Sequence, residues 1–269
     1  MPNFSCTTCG TQHAESDQPP VVCAVCQDDR QYLKVTGQQW TTHDTLRLTN
    51  RNSIRFEESG LIGIGVEPHF AIGQRALLVR TPKGNVLWDC VSLLDPALVE
   101  MVKALGGISA IAVSHPHYYT SMVEWSRAFG DVPIHLHKDD AKWVMRPDPR
   151  IKFWEGETKS LFGDLTLART GGHFEGFQVL HWPGGAGGKG VLLAGDQPAV
   201  CQDRRWVTFM YSYPNMIPLG PAAIRKIVAS LKPFEYVRLY SAFGGQVIKS
   251  GAKEAVERSA DRYLRAIRV

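Results

Sequence analysis

The sequence predicts a layered domain of α-helices and β-strands preceded by a small metal-bound module. Three observations carry this expectation. Short apolar strands alternate with amphipathic helices through most of the chain. Four of the six cysteines fall in two CxxC pairs near the N-terminus. Histidines and an aspartate stand just past the carboxyl ends of apolar strands, where open α/β sheets place their ligands.

Taken in order, residues 1–35 form the module. "CTTCG" holds Cys6 and Cys9, and "CAVC" holds Cys23 and Cys26. Each pair can bring two thiolates to one tetrahedral ion through a tight turn. So short a segment cannot build a stabilising core, so the ion would supply the folding free energy. The segment resembles the rubredoxin-like zinc ribbon found at one end of rubrerythrins. It keeps Gly10 after the first knuckle and departs from the pattern at Gln27, where a glycine is common. The resemblance implies one structural zinc, with an electron-transfer iron as the alternative. Residues 36–53, "TGQQWTTHDTLRLTNRNS", read as a polar connector, and residues 54–269 as the main domain.

Within that domain "QRALLVRT" and "NVLWDC" read as paired strands around the turn "PKGN". "DPALVEMVKALGG" is a punctuated helix: Asp95 can cap it, Pro96 fits its first turn and Gly106 can end it. "GISAIAV" then reads as a buried strand, which completes a βαβ-like unit. "SMVEWSRAFG" is a second helix, with Ser121 and Glu124 in a capping-box pattern. The strands "FQVLHW", "GVLLAGD" and "YVRLYS" follow. "HWPGGAGGKG" reads as a hairpin, since no GK[ST] opens a helix behind it. The helices "PAAIRKIVASLK" and "AKEAVERSADRYLRAI" flank the last strand.

"AVSHPHYYTSM" places His115 and His117 one residue apart beyond an apolar run. In an extended segment such residues point the same way, and Pro116 biases His115 away from helix. "TGGHFEG" sets His173 among glycines, and "VLLAGDQ" delivers Asp196 at a strand end. Alone, His173 could be an ordinary loop histidine and Asp196 a cap or turn residue. Their order after these strands favours a shared site. His135, His137 and His181 lie near predicted strands and read as structural, and Cys90 and Cys201 as unreactive thiols. The arginines and aromatics of "RRW" and "MYSYPN" could line a cleft or belong to surface and core.

HxH after a buried strand, then a glycine-flanked histidine, then strand-Gly-Asp resembles the metallo-β-lactamase fold superfamily. The resemblance covers roughly residues 54–265 and implies a four-layer αββα sandwich with metal held between the sheet edges. The family motif is HxHxDH. Here His115 and His117 hold the first two places, Tyr119 stands for the aspartate and Thr120 for the third histidine. The last histidine of the family falls at Ser241 or a neighbour. The resemblance therefore implies one metal, held by His115, His117 and His173 with Asp196 as ligand or proton acceptor, and no second.

Three imidazoles with an open position suit a zinc-activated water and hydrolysis of an ester, thioester or amide-like bond. Tyr119, pointing inward, could donate a hydrogen bond in that reaction. A rival reading takes His115, His173 and Asp196 as the 2-His-1-carboxylate set of a non-haem iron oxidoreductase, with the ribbon as its redox module. A third takes the fold as a binding protein without catalysis. The expected partner is a small molecule. A net charge of +4, with scattered Lys and Arg, argues against nucleic acid, and no apolar run is long enough to span a bilayer. The start "MPNFSCTTCG" has no basic segment or apolar core of a secretory signal, and the cysteine usage suits a reducing compartment. Cytoplasm is the expected location.

Overall fold

Strand Ala76–Thr81 shows how the layers arise. Its side chains alternate, so Leu77 and Val79 enter the core between two sheets while Ala76 and Leu78 pack against an outer helical layer. Gly84–Trp88 divides likewise, Val86 and Trp88 inward and Leu87 outward. On the facing sheet, Val191–Gly195 sends Val191 and Leu193 to the shared core and Leu192 and Ala194 to its own helices. Strands buried on both faces read as continuous apolar runs for this reason.

The computed structural model describes residues 1–267. One sheet has seven strands, in the order Ile151–Trp154, Ile134–His137, Ala110–Ala112, Gly84–Trp88, Ala76–Thr81, Leu61–Glu67 and Arg51–Glu58. The other has six: Thr158–Ser160, Thr166–Arg169, Gln178–Trp182, Val191–Gly195, Arg238–Ser241 and Val247–Ile248. Helices Pro96–Ala104 and Met122–Ala128 cover the first sheet, with Leu98, Val102, Met122 and Trp125 in its core. Helices Pro221–Leu231 and Ala252–Ala266 cover the second through Ile224, Ile227 and Val256. This is the αββα sandwich. Among the described residues no helix is long and apolar enough to cross a membrane.

The expected unit of strand, helix and parallel strand is present, since Gly84–Trp88 pairs in parallel with Ala110–Ala112 across helix Pro96–Ala104. Asp95 caps that helix by accepting from the Leu98 amide at 2.7 Å. The glycine-rich loop joins the antiparallel strands Gln178–Trp182 and Val191–Gly195 as a hairpin.

Two expectations are corrected. Residues 36–53 are not an irregular connector. Trp40–Thr41 pairs with Asn3–Cys6 as the third strand of the cysteine module's sheet, and His43–Thr49 is a helix capped by Thr42. Arg51–Glu58 and Leu61–Glu67 then form a long antiparallel hairpin that its polar edge strand had disguised. Ser121 makes no capping bond either, because its hydroxyl donates to the Val91 carbonyl at 3.0 Å.

The adjacent strand ends meet at one edge of the sandwich. Asp89 follows Gly84–Trp88, His115 follows Ala110–Ala112 and Asp196 follows Val191–Gly195. Gln178 ties the two sheets there. Its amide donates to the Ser114 carbonyl at 3.0 Å, and its side chain to the Val113 carbonyl at 2.7 Å.

Candidate metal centres

His115 is extended, with φ −167° and ψ 170°, as its following proline requires. Pro116–Tyr118 then closes a 3₁₀ turn, which corrects the expectation of a continuous extended segment. In such a turn residues three apart are eclipsed, so Tyr118 comes to lie against His115, their ring centroids 4.4 Å apart. His173 is set by Gly171 and Gly172, both at positive φ (65° and 88°), which turn the chain back toward the site. Asp196 follows a bulge at which Gly195, at φ 55°, pairs with Ser241.

These segments bring one nitrogen from each of His115, His117 and His173 and one oxygen of Asp196 within 4.8 Å of one another. Nδ1 of His117 lies 3.4 Å from Nε2 of His173, and Nε2 of His115 lies 3.3 Å from Oδ2 of Asp196. The latter pair is not aligned as a hydrogen bond, so the buried His115 Nε2 is left without a partner. The far nitrogens of two rings are held: His115 Nδ1 by the Ser114 hydroxyl at 2.8 Å, His173 Nδ1 by the Met210 carbonyl at 3.1 Å. Fixing the outer nitrogen orients an imidazole so that its other lone pair faces an ion.

The electrostatics agree. Burial pushes His115 and His117 below the ordinary histidine value and His173 down to about 3. Burial opposes ionisation of Asp196, but His115, His173 and Tyr118 outweigh it and hold the carboxyl below its usual range. Neutral imidazoles beside a carboxylate are the protonation states a divalent cation needs. The donor set and the orphaned nitrogen fit such an ion.

The residue meeting Asp196 through its phenol is Tyr118, not Tyr119. Both tyrosines are buried in the core cluster, but it is the Tyr118 phenol that donates to Oδ1. Thr120 and Ser241 stand at positions where the resemblance has histidines, and the Thr120 hydroxyl donates to the Tyr118 carbonyl at 3.5 Å. Ser241's hydroxyl accepts from the Val200 amide at 2.7 Å.

Other residues support the site: Asp89 had no signal in the sequence, while Tyr213 belongs to the "MYSYPN" stretch expected to line a cleft or belong to surface and core. Asp89, whose carboxyl burial pushes up to about 7, accepts from the Ser114 amide at 2.7 Å and so braces the residue before His115. Tyr213 donates to the Asp196 carbonyl at 2.6 Å. His137 and His181 bond the carbonyls of Gly156 and Glu235 and stay outside the cluster.

The four cysteines converge as their spacing predicts. Sγ of Cys6 and Cys26 are 3.6 Å apart and those of Cys9 and Cys23 3.7 Å, all four buried. Thiolates about 2.3 Å from one tetrahedral ion lie about 3.8 Å apart, so the four sulfurs fit one metal. The Thr8 amide and the Gln38 side chain donate to Cys6 Sγ.

This module packs against the histidine site. Arg30 inserts its guanidinium over the Phe174 ring, 3.9 Å from the centroid, and donates to the His173 carbonyl at 3.2 Å. Asp28 neutralises it with two bonds of 2.5 and 2.9 Å. The two units together enclose a cleft of about 370 Å³ with His117, His173 and Asp196 in its wall. A larger and more open groove of about 660 Å³ beside helix Pro96–Ala104 contains none of these residues.

No protein-family model matches the chain. It is 49% identical over 269 residues to the uncharacterized protein YmaE of Bacillus subtilis strain 168, with 99% of this chain and 97% of that one covered. Among solved structures, it resembles the metallo-β-lactamase FIM-1 from Pseudomonas aeruginosa, solved in its mono-zinc form. The TM-score is 0.58 at 15% identity, covering 79% of this chain and 96% of that one. A B3 metallo-β-lactamase with an active-site glutamic acid aligns over 93% of this chain and 97% of its own, at TM-score 0.51 and 18% identity. At such identities the likeness speaks for the fold.

Proposed function

Because the chain belongs to one family with the Bacillus subtilis protein YmaE and carries the metallo-β-lactamase fold, we propose that it is a metal-dependent hydrolase with one zinc held by His115, His117, His173 and Asp196. The observation that carries this reading is the donor set itself, three imidazoles and one carboxylate gathered together, with His117, His173 and Asp196 in the wall of a cleft. Among the described residues the grouped donors form only this set and the four cysteines, which supports one ion here. The bond cleaved is of the ester, thioester or amide-like kind.

When bound, zinc supplies a water of pKa about 7 and polarisation of a substrate carbonyl. The chain's own residues do the rest. Tyr118 occupies Oδ1 of Asp196, so the carboxylate acts through Oδ2, as a ligand or as acceptor of a proton. Tyr213 holds the backbone of Asp196 in place and lines the cleft. Ser114, braced by Asp89, keeps the His115 ring turned toward the site.

A second reading has one observation in its favour. The cysteine module contacts the loop carrying His173 through Arg30, so a redox-active ion in the module would lie beside a 2-His-1-carboxylate iron.

Metal content per chain, on protein purified anaerobically without added metal, separates the two. Wild type should carry two zinc ions and His115→Ala one, with ester and thioester hydrolysis lost. Iron that disappears with His115, together with oxygen uptake, would move the assignment to oxidation. Equal metal content in both proteins would refute the site.

A further inference from the structure

Among the described residues that line the cleft, Arg30 is the one permanent cation, and it is already paired. Its guanidinium donates to Asp28 and to the His173 carbonyl and lies flat on Phe174, with its side chain 6% exposed. The cleft's carboxylate is Asp196, already engaged by Tyr118 and facing His115. What remains is mostly uncharged surface: Ile72, Val200, Pro214 and Phe243 on the main domain, with Gln31 and Tyr32 from the cysteine module opposite them.

Asn215 ties the two rims by donating to the carbonyls of Asp29 and Gln31, at 2.9 and 3.0 Å. Next to these residues in the chain, Tyr32 and Leu33 are 45% and 48% exposed, and Met216 and Ile217 80% and 40%. Apolar side chains of the cleft wall, Ile72, Pro214, Phe243 and Tyr32, beside a buried polar centre match a molecule with a reactive head and an apolar tail.

We infer that the substrate is an uncharged acyl compound with a straight or branched apolar chain, and that the cysteine module recognises that chain through Tyr32. This rests on the hydrolase reading above for its acyl head. The cysteine module is then a wall of the substrate cleft. Away from the ion, a carboxylate on the substrate's chain would meet only Arg30, which is already paired with Asp28, and burying it unpaired would be costly.

Two measurements on the metal-loaded full chain test this. Calorimetric titration with primary amides from acetamide to octanamide reads binding without turnover. Affinity should climb with chain length, each buried methylene giving roughly fourfold at most, and the climb should flatten in Tyr32→Ala. Turnover of p-nitrophenyl acetate, hexanoate and hemisuccinate reads catalysis. The hexanoate should exceed the acetate in kcat/KM by at least about tenfold, the anionic hemisuccinate should be the poorest, and Tyr32→Ala should raise KM for the hexanoate several-fold. Amide affinity independent of length, or a preference for the hemisuccinate, overturns the inference even if esters are cleaved. Length-graded amide binding with no turnover of any ester supports the apolar wall and overturns the hydrolase reading instead.

Discussion

Oδ1 of Asp196 has a single buried donor, the phenol of Tyr118. Partners that orient a site residue typically contribute about 10- to 100-fold in metal affinity or activity. Tyr118→Phe should therefore lower kcat about tenfold or more with little change in folding, while Tyr119→Phe, in the core, should leave hydrolysis within about twofold. Steady-state kinetics of both variants decide it; a larger loss from Tyr119→Phe would contradict the assignment. The contrast also shows what was legible at this scale. His115, His117, His173 and Asp196 are legible as a set, since each alone has an ordinary explanation and only their order after apolar strands favours a shared site. Tyr118 is not, because choosing between adjacent tyrosines needs the turn geometry, and the Pro-x-Tyr stretch was read as extended when it coils into 3₁₀. Ser114 and Asp89 act through hydrogen bonds that join distant stretches of the chain, which no local pattern encodes.

At the scale of elements, strand Val191–Gly195 ends at a residue only glycine suits. Gly195 has φ 55°, and a Cβ there would stand 2.6 Å from the Ser114 hydroxyl that supports His115. Gly195→Ala should destabilise the fold by about 1–3 kcal/mol and weaken metal binding at the histidine site, measured by thermal denaturation and competition with a chelator. Unchanged metal affinity would mean that the strand end does not position His115. Most apolar elements were legible because a strand buried on two faces or a striped helix leaves an unambiguous pattern. The hairpin of Arg51–Glu58 and Leu61–Glu67 was missed, since an edge strand such as "RNSIRFEE" carries charges where a central one cannot. Ser121 carried a capping signal that the tertiary contact with Val91 took over.

At the scale of the molecule, the cysteine module and the sandwich complete one another. Val25 and the four cysteines pack against Trp40, Ile72, Trp143 and Met145, and Arg30 against the His173 loop. Cys9→Ser, which removes one thiolate, should cost the module its ion, lower the melting temperature and abolish hydrolysis, although no cysteine belongs to the histidine cluster. Metal analysis, thermal denaturation and kinetics on the one variant test this together. Full activity with the cysteine-bound metal gone would show the module dispensable. The interdependence was not legible, because two CxxC pairs specify an ion and say nothing of what the ion's loop leans on. It also sets an order of events during synthesis. The module leaves the ribosome before the segments it docks on: Arg30 must wait for His173, 143 residues downstream, and Asp29 for Asn215, 186 residues downstream. Ile72, Trp143 and Met145 can receive the module earlier, so its docking is completed only when the segments of His173 and Asn215 arrive.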